Sequence, residues 1–182
     1  MIQKLADRAK QKLYAVDDKG NLTGKIVDRW KAHTAPGIKH LAIGILVFDK
    51  NNKLVLHKRI HTKVGGDTID YPVSHPLQDE TVEQACWRCL EHEYGIKEKL
   101  PLKKLFSFSY NYNYDDGTCE NEYLLVFGAN YSGMVIPNPK EMSENLILIS
   151  IKDLVKDVEK NPQKYSVWFW DTAKHLKKLG IK

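Results

Sequence analysis

The chain has 182 residues, 42% of them apolar, and a formal charge of +5. This length suits one domain with a sizeable core. No apolar run of about 18 residues exists, which excludes a transmembrane helix, and no Arg/Lys stripe with interleaved aromatics points to nucleic acid. The mild positive charge favours anionic small molecules such as phosphate esters. An odd count of three cysteines, with no disulfide framework and no apolar leader, suits a reducing cytoplasm.

Residues 1–13 are polar and Lys-rich, with helical spacing. Residues 13–16 read as a short strand, residues 17–21 as a turn, and residues 25–30 as its returning partner. His40 opens a strongly apolar strand to Phe48, and residues 53–59 read as its hairpin partner across Asp49-Lys50-Asn51-Asn52. Residues 60–78 read as an irregular loop. A helix follows over residues 79–94, capped by Asp79 or Thr81 and stopped by Gly95. Residues 105–114 and 120–129 alternate like paired strands around Asp115-Asp116-Gly117. Residues 145–151 form a further strand, and residues 151–159 and 167–179 form helices. There is no repeat, linker or low-complexity segment, so residues 1–182 are expected to be a single domain.

Strand alternation places Glu120 and Glu122 on one face. His33, His40 and His75 each stand at the edge of an apolar run. Three imidazoles and two carboxylates are a donor set for one divalent metal, Mn²⁺, Mg²⁺ or Zn²⁺, and five or six N/O ligands favour the first two. Cys86 and Cys89, one helical turn apart with no partner pair, read as packing.

Ser74-x5-Glu80-x7-Arg88-x4-Glu93-x-Gly95-Ile96 has the spacing of a Nudix box, G-x5-E-x7-R-E-U-x-E-E-x-G-U. His33-Thr34-Ala35 with His40-Leu41-Ala42, Ser74-His75-Pro76 and Glu120-Asn121-Glu122 complete the pattern. Over about residues 12–175 the chain resembles the type 1 isopentenyl-diphosphate isomerases of the Nudix superfamily. The resemblance implies an α/β Nudix fold, a mixed sheet sandwiched between helices. It implies that His33, His40, His75, Glu120 and Glu122 bind one divalent metal, with Glu122 also the acid that protonates an alkene. Tyr110 would assist that carboxylate. Glu93 would hold a Mg²⁺ on the substrate diphosphate, and Arg29, Arg59 and Lys63 would contact the diphosphate itself. Trp168 would face the carbocation, where a ring's negative face attracts positive charge. The partner is a small-molecule diphosphate, and a homodimer is left open.

The chain also departs from that pattern. Val73 stands where the family has the cysteine that is its second proton-transfer group. Cys89 and His92 replace two helix carboxylates used in diphosphate hydrolysis. Three readings follow: alkene protonation with another fate for the cation, hydrolysis of a small organic or nucleoside diphosphate, and a non-catalytic diphosphate-binding module.

Overall fold

The computed structural model describes residues 8–180; the N-terminal helical spacing falls largely outside them. Among the described residues, a nine-stranded mixed sheet is flanked by four α-helices. β1 (Lys12–Val16) and β2 (Leu22–Asp28) form an antiparallel pair. α1 (Arg29–Ala32) then leads into β3 (His40–Phe48). β3 is buried at all nine positions. A strand with both faces covered needs a continuous apolar run, which is what residues 41–48 supply.

The expected hairpin of β3 with β4 (Leu54–Arg59) holds only at its tip, where Phe48 pairs with Leu54. Beyond the turn the two strands diverge. β4 instead pairs antiparallel with β9 (Met142–Ile149). β3 runs parallel to β8 (Cys119–Asn130), from His40 opposite Glu122 to Phe48 opposite Asn130. The turn signal at residues 49–52 was local and correct, but burial decides the pairing: the most apolar strand goes to the middle. β7 (Lys103–Asn113) pairs antiparallel with β8 and sets Tyr110 opposite Glu122.

The stretch read as an irregular loop contains two short strands in the wedge between β3 and β4. β5 (Ile69–Asp70) pairs with β4, and β6 (Val73–Ser74) pairs with β3 at Gly44 and Ile43. Gly44 is needed here, because a Cβ on it would lie 2.6 Å from the Tyr71 ring.

α2 (Val82–Tyr94) starts at Thr81, not Asp79, through a capping box with Gln84, and ends at Gly95 in the left-handed conformation. It packs on one face of the sheet with Ile43, Ile45, Val47 and Val55. α3 (Ile151–Lys160) and α4 (Val167–Leu179) cover the other face over Ala42, Leu46, Leu124 and Val126. Cys86 and Cys89 are buried in the α2 layer as free thiols, and burial pushes Cys86 up to about 12. Among the described residues, no helix is long and apolar enough to cross a membrane.

Candidate functional site

The β3–β8 register starts the site. His40 and Glu122 are direct partners, with Tyr110 next in the row. His33 caps the C-terminus of α1, and His75 follows β6, which β3 aligns. The three rings gather with centroids 4.6, 5.0 and 4.9 Å apart. Among the described residues, His33, His40, His75 and Glu122 offer ligand atoms all within 4.8 Å of one another, and so could hold a metal ion. Glu120 stands at the edge of this group, 3.5 Å from His33 Nε2.

The hydrogen bonds orient the imidazoles toward that role. His33 Nδ1 donates to the Arg29 carbonyl at 3.0 Å and His40 Nδ1 to that of Ile38 at 2.7 Å. Both rings therefore present bare Nε2 lone pairs toward Glu122 Oε1, at 3.7 and 3.3 Å. His40 Nε2 is buried and has no hydrogen-bond partner. A lone pair facing a carboxylate in a dry site is unfavourable unless a cation lies between them, so the residues present fit a divalent metal. His75 differs: Arg29 Nη1 donates to its Nδ1 at 2.9 Å and its Nε2–H donates to Glu122 Oε1 at 2.8 Å, so to offer Nε2 to an ion His75 must carry its ring proton on Nδ1 and release Arg29.

Burial holds His33 down at about 4 and His75 well below the ordinary imidazole value, so both are neutral. Burial, reinforced by the charge of Glu122, raises Glu120 well above the carboxylate range. Burial also acts to raise Glu122, but the three imidazoles outweigh it and hold Glu122 well below that range. Of the two neighbouring carboxyls, Glu120 is therefore the one on which a proton is favoured and Glu122 the one on which negative charge is favoured. Tyr110 donates its hydroxyl to Glu122 Oε2 at 2.6 Å.

The Nudix-type helix supports this cluster from behind. Arg88 is gripped by Glu80 at 2.6 and 2.8 Å and donates to the His75 carbonyl at 2.8 Å. Replacing Arg88 by Met removes this tether from the turn that carries the candidate ligand His75. The expected result is a roughly tenfold or greater loss of metal affinity with little change in far-ultraviolet circular dichroism. Glu80 adds a pH dependence. Burial acts to raise it, but Arg88 outweighs burial and holds it below its ordinary 4.5. A depressed carboxylate contributes stability above the ordinary value and loses it as pH falls through the lower folded value. Urea midpoints measured below pH 4.5 are expected to fall more steeply for the native chain than for Glu80→Gln.

The cluster opens into a cavity of about 800 Å³. Tyr110, Trp168, Val64 and Val73 supply its apolar lining, and Arg8, Arg29, Arg59, Lys63 and Lys140 its cations. Val73, at the family's cysteine position, thus faces the same space as Glu122. Arg59 is more constrained than its motif suggests. It bonds Asp70 at 2.8 Å and the Val64 carbonyl at 3.2 and 2.9 Å, and lies over the Trp168 ring at 5.1 Å. That leaves two of its five N–H donors for a ligand. Asp70 also accepts from Ser166 at 3.0 Å and Trp168 Nε1 at 2.9 Å, fixing the ring. Asp70→Ala strands a buried guanidinium and frees Trp168, and is expected to cost about 3 kcal/mol in urea denaturation.

Glu93 lies behind the cavity, 3.4 Å from Lys63. Three contributors escaped the sequence reading: Asp70, Glu141 and Arg8. Glu141 accepts from Lys63 at 2.5 Å and from His92 at 2.8 Å, and pairs with Arg8. No motif marks any of the three. The available signal for Glu141 and Asp70 was a lone carboxylate beside a strand boundary.

A family model, the NUDIX domain, matches residues 38–169. The chain is 34% identical over 155 residues to isopentenyl-diphosphate delta-isomerase 2 of Aromatoleum aromaticum, covering 84% of this chain and 79% of that protein. It is 33% identical to the isopentenyl-diphosphate delta-isomerase of Haloarcula marismortui, covering 75% of each. Among solved structures, DR0079 of Deinococcus radiodurans superposes with a TM-score of 0.70 at 15% identity, over 92% of this chain and 98% of that one. A MutT protein of Methanosarcina mazei gives 0.63 at 14% identity, over 79% and 96%. These two show the shared fold. With the domain match, the two relatives place the chain in the Nudix superfamily, in its isopentenyl-diphosphate isomerase branch.

Proposed function

We propose that the chain is a divalent-metal-dependent enzyme that protonates the alkene of an isoprenoid-like diphosphate. The observation that carries this is the setting of Glu122. Three imidazoles converge on one of its oxygens and the Tyr110 hydroxyl donates to the other, at the wall of a cavity that also exposes an indole. His33, His40, His75 and Glu122 would hold the metal, with Glu120 beside them. The N/O donors suit Mn²⁺ or Mg²⁺, and Zn²⁺ is the alternative. When bound, the ion supplies a fixed positive charge that organises the carboxyl pair.

The rest falls to the chain's own groups. Glu120, which keeps a proton more readily, hands it to Glu122, and Glu122, steadied by Tyr110, passes it to the alkene. Trp168, locked by Asp70, offers its face to the resulting cation. Arg29, Lys63 and the spare donors of Arg59 would receive the diphosphate. Glu93 would take a Mg²⁺ that accompanies it. Val73 neither gives nor takes a proton, so the cation's fate is capture by water, ring closure, or proton loss to another group. Residues 1–182 would act as one domain in the cytoplasm.

The test is incubation of the metal-loaded protein with isopentenyl and dimethylallyl diphosphates in D₂O, followed by proton and phosphorus NMR. Deuterium entry with the diphosphate intact is expected. Phosphate release without deuterium would make the chain a hydrolase. Diphosphate binding with neither change would make it a binding module.

A further inference from the structure

One side of the cavity is built from chain that the family pattern does not reach. The resemblance to the isomerases begins at about residue 12, yet Arg8 lines the cavity. It stands in the short turn before β1. Ala9, 3% exposed, anchors that turn, and the Gln11 N–H closes it by donating to the Arg8 carbonyl at 3.0 Å. The Gln11 carbonyl accepts from the Arg29 N–H at 2.8 Å, and its side-chain oxygen accepts from Arg29 Nη1 at 3.3 Å. One turn therefore carries Arg8 and holds Arg29.

Arg8 is aimed rather than neutralised. Its Nη2 pairs with Glu141 Oε1, the oxygen that also accepts from His92 at 2.8 Å. Glu141 serves a second cation as well, since its other oxygen accepts from Lys63 at 2.5 Å. One carboxylate between two full positive charges leaves positive charge in excess. Among the described residues, Nε and Nη1 of Arg8 have no partner. Most of a planar fork that suits phosphate oxygens is thus left over. Arg29 pairs with no carboxylate among the described residues; its side-chain partners are Gln11 and His75. Desolvation and then the charge of Arg8 push Arg29 down to about 10, against the pull of Glu120 and Glu122. The fold thus holds two guanidiniums close enough to repel, and an anion that bridges them relieves the repulsion.

We propose that Arg8 contacts the substrate diphosphate and bridges it to Arg29, so that the turn of residues 8–11 forms the outer side of the anion site. Glu141 holds the guanidinium in place through one nitrogen and leaves the others to the ligand. The inference rests on the diphosphate reading of the cavity and adds to it a contact from outside the family pattern.

The experiment is a calorimetric titration of the Mg²⁺-loaded full chain with inorganic pyrophosphate, comparing the native protein with Arg8→Gln, Arg8→Lys and Lys10→Gln. Lys10 is exposed in the same turn, so its substitution removes an equal charge without touching the cavity. Arg8→Gln is expected to weaken binding about tenfold or more, the scale of a lost charge-assisted hydrogen bond. Arg8→Lys keeps the charge but not the fork and is expected to weaken it by less, while Lys10→Gln matches the native chain. Native affinity in Arg8→Gln, or an equal loss in Lys10→Gln, overturns the proposal and leaves the diphosphate reading standing. Absence of pyrophosphate binding by the native chain overturns both. If Arg8→Gln does not fold, Arg8→Lys decides, and native affinity in that variant overturns the proposal.

Discussion

Glu122→Gln is expected to reduce deuterium entry from D₂O into an isoprenoid diphosphate by a factor on the order of 10³, the usual scale for losing a positioned proton donor. The substitution keeps the side chain's shape and one oxygen. It removes both the negative charge that three imidazoles surround and the ability to pass a proton. Two effects must be separated, since Glu122 is also one of the four residues that could hold a metal ion. Metal content, measured on the same samples, does this. A variant that keeps its ion and loses exchange places the proton transfer on Glu122. A variant that loses both leaves the carboxylate as a ligand, and Tyr110→Phe becomes the deciding comparison. Tyr110 touches Glu122 Oε2 but makes no contact with the imidazoles' shared oxygen. Its removal should therefore lower exchange while metal content stays constant.

Val73→Cys has the opposite sign. Val73 lines the cavity that holds Glu122, and cysteine is close to valine in volume, so the packing against the α4 layer should survive. The thiol adds a second group able to exchange a proton across that space. Isomerisation between isopentenyl and dimethylallyl diphosphates is expected to rise by a factor on the order of 10², at the low end for acid–base assistance. The half-buried site keeps the gain at this end, since burial disfavours a thiolate. Proton NMR in D₂O reads it directly. No change in rate would mean that Val73 does not face the reacting carbons, and that the cation's fate is set elsewhere in the cavity.

The parts of this protein legible in its sequence share one property: the relevant signal is periodic or clustered. β3 and β8 are long apolar runs, α2 has a cap and a glycine stop, and the His/Glu set recurs in a recognisable order. The parts that were not legible depend on single polar residues whose partners are distant in the chain. Glu141 meets Lys63 across 78 positions and Arg8 across 133. Asp70 reaches Trp168 across 98. No spacing rule covers such pairs, because they exist only once the sheet has placed both ends. The β3–β4 pairing illustrates the same point. A turn motif predicts that two strands adjoin at the turn, but it cannot say how long they stay together. Here the demand to cover both faces of β3 separates them and opens the space the site occupies.

The pairing of His40 with Glu122 has a thermodynamic consequence. Two of the four candidate ligands come from strands joined by the central parallel ladder, so an unfolded chain cannot offer an ion the same donor set. Each ion bound is therefore withdrawn from the native population alone, and stability rises logarithmically with free metal above the dissociation constant. Melting temperature against metal concentration becomes a binding curve, and chelation should loosen the middle of the sheet before it disturbs α3 or α4.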